Sequence, residues 1–495
     1  MTAMKRYVCG VDIGTSTLKI TLLSDDGSTV GPFKRELVTD YPKPLYAQQD
    51  PMQWFEAFRE VLQEAFITGV RAEQIVAILP DAATHTTVLL DEYFAPVRPA
   101  IMWNDQRSAV LAERYAEKDR VFHLTNHYPG SMWSLFQALW VKENEPEAWR
   151  RVKYLLFAKD FFRWQLTGRY CTDHIDAEGS QFYDVHEKKW SDELCVLLDF
   201  QSERLPELCD ASDVAGGLTK EAARSLGLLE GTSVFVGTTD TALEMVACGA
   251  IHRGQATVKL ATSGRICVVA GRAYPHLQLV NYSHVVKGSY YPGTGTRSCA
   301  TSLRWFRDSF SHGQTFSSLS EQAAAVPPGS DGLIYHPYLL GEFTPYSNDK
   351  LRASFTGMSM NHTAGHFVRA IMEGTAYSLR ECMELLISLG VEIGSEPLLL
   401  IGGGGESELW AGILADVLER TVEIPANIDS SFGGALLAGV SIGMFANLEE
   451  AVSRACRKER AIRPNEENVR VYRWSFNKYR DLVRALLPIY EKYDC

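Results

Sequence analysis

The chain has no apolar run long enough to cross a bilayer, no close CxxC pair and no HExxH. Each absence removes a class of function. A membrane-spanning helix needs roughly 20 apolar residues in succession, and none is offered. Zinc peptidases lose their signature. The cysteines are scattered as Cys9, Cys171, Cys195, Cys209, Cys248, Cys267, Cys299, Cys382, Cys456 and Cys495. Such spacing suits neither a zinc cluster nor a thioredoxin-like centre, and reads as small hydrophobes in a reducing compartment. Met1 to Tyr7 carries two basic residues but neither the apolar region nor the cleavage site of a secretion signal, so the expected location is cytoplasmic. Basic runs are scarce as well. Arg457-Lys458-Glu459-Arg460 is a short charged stretch that reads as a solvated helix face, while a net charge of −12 makes nucleic acid an unexpected partner.

What is present is globular. With 46% hydrophobic and 22% charged residues over 495 positions, the chain can bury substantial cores, and ~150 residues per domain predicts two to four units. Tyr7 to Asp12 reads as a strand, Gly14-Thr15-Ser16 as a polar turn, and Leu18 to Leu22 as a half-buried strand; Asp25-Asp26-Gly27 turns into a third. The polar loop therefore joins two strands, unlike a P-loop or dinucleotide fingerprint, which opens a helix. Pro51 to Thr68 has helical spacing, and 129–147 and 157–166 also read as helices. Half a chain later the pattern returns: Ala256 to Leu260 and Ile266 to Val269 are strands joined by Ala261-Thr262-Ser263-Gly264-Arg265. Two such hairpins predict a duplicated α/β fold whose halves face a cleft, with the boundary at 245–250. Charged helices are expected around 448–460 and 476–491.

Several residues have the chemistry a phosphoryl-transfer site needs. Asp12 ends a strand ahead of Gly14, Thr15 and Ser16, where backbone N–H groups can approach phosphate and a carboxylate can hold Mg²⁺. An ordinary hairpin with a surface Asp gives the same pattern. Thr262-Ser263-Gly264 repeats the signal. Gly402-Gly403-Gly404-Gly405 follows the buried strand Leu398 to Ile401 and leads into Glu406-Ser407; so many glycines are entropically costly, and fit either a flat ligand against the backbone or a tight packing corner. Asp240 ends a strand and can serve as a general base or cap the helix that follows. His85, between two threonines, suits a core as well as a ligand. Trp103-Asn104-Asp105-Gln106-Arg107 suits a polyhydroxylated ligand or an internal ion pair.

Longer stretches carry a resemblance. VDIGTSTLK at 11–19, RPAIMWNDQR at 98–107, KDFFRWQLTGRYCTD at 159–173, GTTDTALEMVACGA at 237–250 and GGGGESELWAGILADVLERTVEIP at 402–425 resemble the FGGY carbohydrate kinases, most of all the xylulose kinases. The resemblance runs nearly end to end. It implies a duplicated actin-like ATPase (ribonuclease H-like) fold, with 1–246 as the sugar-side domain and 247–495 as the adenosine-side domain. It implies ATP and Mg²⁺ as cofactors and a small carbohydrate as substrate; a homodimer is the expected assembly because homodimers are common, with no interface marked in the sequence. Asp12 then associates with Mg²⁺, and Gly14, Thr15 and Ser16, with Lys19, belong to the nucleotide side. Thr262, Ser263 and Gly264 form a second phosphate loop, and Gly403, Gly404, Glu406 and Ser407 border adenosine. Asp240 becomes the base, while His85, Trp103, Asp105, Arg107 and Thr241 join it around the sugar. Departures cluster in the sugar shell: Ala82-Ala83-Thr84-His85-Thr86 keeps only the histidine of Gly-Gln-Met-His-Gly, and Thr241 stands in place of Asn. Ala261, Phe343 and Gln137 replace glycine, arginine and lysine. The expected activity is phosphorylation of a ketopentose, D-xylulose to D-xylulose 5-phosphate. Ribulose, fuculose, erythritol and gluconate stay open as acceptors, as does a non-catalytic sugar or nucleotide sensor.

Overall fold

Alternating small and branched residues at the N-terminus build the first sheet. The computed structural model describes residues 5–492, so Cys495 and Met1 to Met4 lie outside the described residues. Strand β1 (Tyr7–Ile13) pairs antiparallel with β2 (Thr17–Ser24), and β2 with β3 (Thr29–Glu36). On the other edge of β1 lies β4 (Ile75–Ala82), in parallel. Beyond it come β5 (Val214–Gly217) and β6 (Ser233–Phe235), giving the order β5-β6-β4-β1-β2-β3, while the two-residue β7 (Thr238–Thr239) pairs with the end of β4.

Alternation divides β1 between two cores. Tyr7, Cys9, Val11 and Ile13 pack with Trp54, Phe58 and Leu62 of helix Met52–Ile67. Val8, with Ala77 and Leu79 of β4, faces Phe432, Ala435 and Leu436 of helix Ser430–Ser441. That helix comes in close because Gly10 has no side chain: a Cβ there would stand 1.8 Å from the Ser431 carbonyl oxygen.

A second sheet is built by the same rule. Strands β8 (Ala256–Leu260), β9 (Gly264–Val268) and β10 (Tyr290–Gly293) pair antiparallel in succession. β11 (Leu398–Ile401) lies parallel to β8 and β12 (Val422–Pro425) parallel to β11. β13 (Lys458–Ile462) closes the order β10-β9-β8-β11-β12-β13. Each sheet is thus an antiparallel hairpin system flanked by parallel strands, the duplication expected from the sequence.

The chain forms two compact units. One runs to Ile251 and takes in Tyr282–Gly288 and Asn427–Cys456; the other comprises His252–Asn281, Ser289–Ala426 and the chain from Arg457. Among the described residues, no helix is long and apolar enough to cross a membrane.

Two helical expectations need correction. Residues 129–133 are not helical; the helix is Ser134–Asn144, and a separate one opens at Pro146. Pro129 and Gly130 disfavour helix at the start, and Pro146 resets the chain at the end. The helix placed at 448–460 stops at Ala455, and Arg457-Lys458-Glu459-Arg460 is no helix face. Its last three residues begin β13, where Lys458 Nζ meets Glu423 at 2.7 Å and Arg460 donates to the Gly405 carbonyl at 2.6 Å. Charge on an edge strand discourages further strand addition.

Candidate active site

In the first unit the β1–β2 turn is tight, with the Gly14 N–H donating to the Thr17 carbonyl at 3.1 Å. Its carbonyl groups are anchored from outside: Thr15 O accepts from Gln49 Nε2 at 2.7 Å and Thr39 Oγ1 at 3.1 Å, and Ser16 O accepts from Leu37 N. Trp103, 39% exposed, donates its indole N–H to Thr15 Oγ1 at 2.9 Å. The polar turn and the aromatic residue read as a sugar contact are therefore neighbours.

Asp12 is buried beside this turn. Lys19, its partner on β2, reaches Asp12 at 3.4 Å and Asp429 at 2.7 Å. Burial pushes the Asp12 pKa up, with Lys19 opposing and the charges of Asp429, Asp240 and Glu244 adding to the rise. Burial works against the Lys19 charge, but Asp12 and Asp429 outweigh it and hold its pKa above the ordinary lysine range. Asp429, which caps helix Ser430–Ser441, carried no sequence signal as a partner of Asp12.

Asp240 is the first residue of helix Asp240–Ala247 and is half-buried. Its Oδ1 accepts the Thr241 N–H at 2.6 Å and the Thr241 hydroxyl at 3.1 Å. The helix is capped formally by Thr239. Behind it a buried charge network fixes β7: Thr238 Oγ1 donates to Asp173 at 2.7 Å, and Asp173 pairs with the buried Lys159 at 3.0 Å.

His85 is buried at φ 72°, a left-handed conformation unusual for a residue with a Cβ. Its Nε2 lies 2.8 Å from the Tyr282 hydroxyl, and Trp133 packs edge-on at 4.6 Å. Burial, with His127 nearby, holds its pKa well below the usual range, so the ring is neutral. Tyr282 was not singled out in the sequence, because nothing near it in the chain marks it. Asp105 and Arg107 form a buried ion pair at 2.8 Å. Asp105 also accepts Ala47 N at 2.6 Å, and the Arg107 guanidinium lies over Tyr46 at 4.4 Å. Of the two roles open for this pair, internal structure is what the geometry displays.

In the second unit the two remaining loops meet. Thr262 and Ser263 are exposed at the β8–β9 turn, and Gly264 exchanges hydrogen bonds with Thr296. Gly402, at φ 90°, lies where a Cβ would stand 2.6 Å from the carbonyl oxygen of Leu260, the residue that ends β8. Gly403 is exposed, with nothing within 4 Å of a hypothetical Cβ, and Glu406 is exposed too. Gly404 is buried against Leu260, and Ser407 caps helix Glu408–Leu418 by accepting from Trp410 N. The glycine run therefore serves both purposes read for it: Gly402 and Gly404 pack closely, while Gly403 leaves open backbone beside the Thr262-Ser263 turn.

Among the described residues, no three His, Cys, Asp or Glu side chains are set to hold a metal by themselves. Mg²⁺ commonly takes one or two carboxylates and fills its shell with water and phosphate, a need that Asp12 fits. One further carboxylate, Asp81 at the end of β4, lies beside Asp12 and was overlooked in the sequence.

The matches to known proteins follow the same division. Residues 7–247 match the N-terminal domain of the FGGY family of carbohydrate kinases and residues 256–442 its C-terminal domain. The chain belongs to the FGGY family. It is 32% identical over 483 residues to a xylulose kinase of Bacillus subtilis, covering 96% of each chain. A Bacillus subtilis gluconokinase is 26% identical over 511 residues, with 98% of this chain and 96% of the relative covered. The crystal structure of a xylulose kinase from Rhodospirillum rubrum superposes with a TM-score of 0.89 at 27% identity, covering 98% of this chain and all of that one. This FGGY protein is an ATP-dependent carbohydrate kinase with the two-domain α/β fold of the actin-like ATPases.

Proposed function

We propose that this kinase transfers the γ-phosphoryl group of ATP to O5 of D-xylulose. The observation that carries the reading is Asp240, a half-buried carboxylate at the start of the helix that follows β7, which pairs with β4, the strand whose other neighbour carries the buried Asp12. The relatives that share most of the chain's length, and are named xylulose kinase, support the choice of acceptor.

In the proposed reaction the Asp240 carboxylate takes the proton of the terminal hydroxyl as that oxygen bonds to the γ-phosphorus. The bond from phosphorus to the β–γ bridging oxygen breaks, and ADP leaves with the electron pair. Thr241 fixes one carboxylate oxygen, which keeps the other aimed at substrate. Backbone N–H groups at 15–16 and 262–263 receive phosphate oxygens, those of Gly14 and Gly264 staying bonded to Thr17 and Thr296, and Gly403, Gly404, Glu406 and Ser407 border the nucleoside. Asp12 would hold Mg²⁺, which would supply charge neutralisation for the phosphates. Lys19 stays clamped between Asp12 and Asp429 and holds that carboxylate in place. Trp103 offers its face to sugar C–H groups, His85 acts through Tyr282, and Asp105 with Arg107 stiffens the loop beneath them.

A second acceptor class has its own support. Thr241 and the segment Ala82 to Thr86 depart from the xylulose kinase pattern, and the gluconokinase relative covers as much of the chain. Another ketose, a polyol or a sugar acid is therefore the second reading. Asp240→Asn tests the mechanism common to both: sugar-dependent ADP release is expected to fall by about 10²- to 10⁴-fold, with ATP affinity retained. An undiminished rate would remove Asp240 from the chemistry.

A further inference from the structure

Asp81 is the penultimate residue of β4, and the sheet register fixes its neighbours. Asp12 on β1 is its partner on one side and Thr238 on β7 its partner on the other, all in parallel pairing. Partners in register project from the same face of a sheet. On β4 that face also carries Ala77 and Leu79, which pack under helix Ser430–Ser441, whereas Ile75, Ile78 and Ala82 belong to the opposite core. Asp81 and Asp12 thus share one face, two residues along the chain from where Asp240 follows Thr238.

The side chain of Asp81 is fully buried, with 0% exposure, and neither carboxylate oxygen meets a hydrogen-bond donor at normal geometry. Its charged neighbours include Asp12 and Asp240, with the Ser430 hydroxyl close by. Buried charged groups are ordinarily paired or bound to a metal. Here the carboxylate has like charges for company. Lys19 does not relieve it, being committed to Asp429 and Asp12.

We propose that Asp81 and Asp12 form a two-carboxylate seat for a divalent cation, present in the protein before nucleotide arrives. The class of ion is small and hard, Mg²⁺ or Mn²⁺, which accepts two carboxylates and completes an octahedron with water. The proposal rests on the reading of Asp12 as the cation-side carboxylate, and its test involves neither sugar nor turnover, so a wrong acceptor leaves it standing.

The test is Mn²⁺ titration of the full chain without nucleotide, following loss of the free-ion electron spin resonance signal and then competing with Mg²⁺. One site is expected in the parent, weakened ~10-fold or more in Asp81→Asn and Asp81→Ser, with the surface variant Glu147→Gln unchanged. Absence of Mn²⁺ binding in the parent, or parental affinity in a folded Asp81→Asn, would overturn the proposal. Fe²⁺-directed backbone cleavage of the parent needs no variant. Cuts near residues 12 and 81 are expected, and cuts elsewhere alone would count against the seat.

Discussion

Glu178 is buried, yet its carboxylate accepts both the N–H and the hydroxyl of Ser283, each at 2.6 Å. Burial outweighs those bonds and pushes its pKa from 4.5 up to about 7. Between those values the folded state holds a proton that the unfolded chain has released. The contribution to stability is therefore full below pH 4.5 and is lost as pH rises through 7. Glu178→Gln keeps the shape and removes the titration. Thermal midpoints measured from pH 4.5 to 8 are expected to decline less in the variant than in the parent over that window. Identical pH profiles would mean that Glu178 is already ionised at the lower end. Glu178 and Ser283 also show why pairings between distant residues escape a sequence reading: 105 positions separate them. Asp12, Asp240 and the polar turns were visible because their neighbours in the chain marked them. Asp81, Asp429 and Tyr282 act through partners on other elements, and no local pattern announces such a pairing.

At the scale of elements, periodicity made the hairpins and long helices readable, because each presents one buried face and repeats. What failed was punctuated by context. Lys458 to Ile462 has too few residues to reveal a period, and its strand state comes from pairing with Val422–Pro425, a tertiary cause. The return of helix Ser430–Ser441 to the first sheet is equally non-local, although Gly10 and its 1.8 Å constraint are what permit it. The glycine run after β11 yields a separable prediction. Gly402→Ala forces a Cβ onto a φ of 90° and toward the Leu260 carbonyl at 2.6 Å, so the thermal midpoint should drop by several degrees. Gly403→Ala has room for its methyl group and should keep the midpoint, while raising the KM for ATP if the proposed placing of adenosine against that open backbone holds. Calorimetry and steady-state kinetics on the two variants check the contrast. An unchanged KM in Gly403→Ala would move the nucleoside away from that backbone.

For the whole molecule, the duplicated hairpin sheets and the family's motifs were legible because they recur in order along the chain. The acceptor is less so, since in the proposed reaction it is decided by a few side chains around Asp240, where this chain departs from the xylulose kinase pattern at Thr241 and at 82–86. A site that loses one hydrogen-bonding group toward a substrate hydroxyl discriminates by about 1–3 kcal/mol, enough to redirect preference without touching the transfer step. The measurement that bears most directly on the central claim is ADP release from ATP and Mg²⁺ across a panel of D-xylulose, ribulose, fuculose, erythritol and gluconate, run beside Asp240→Asn. The account predicts turnover that depends on sugar, is strongest with D-xylulose, yields a phosphate ester at O5 and collapses in the variant. Silence across the panel from folded protein that still binds ATP would contradict it.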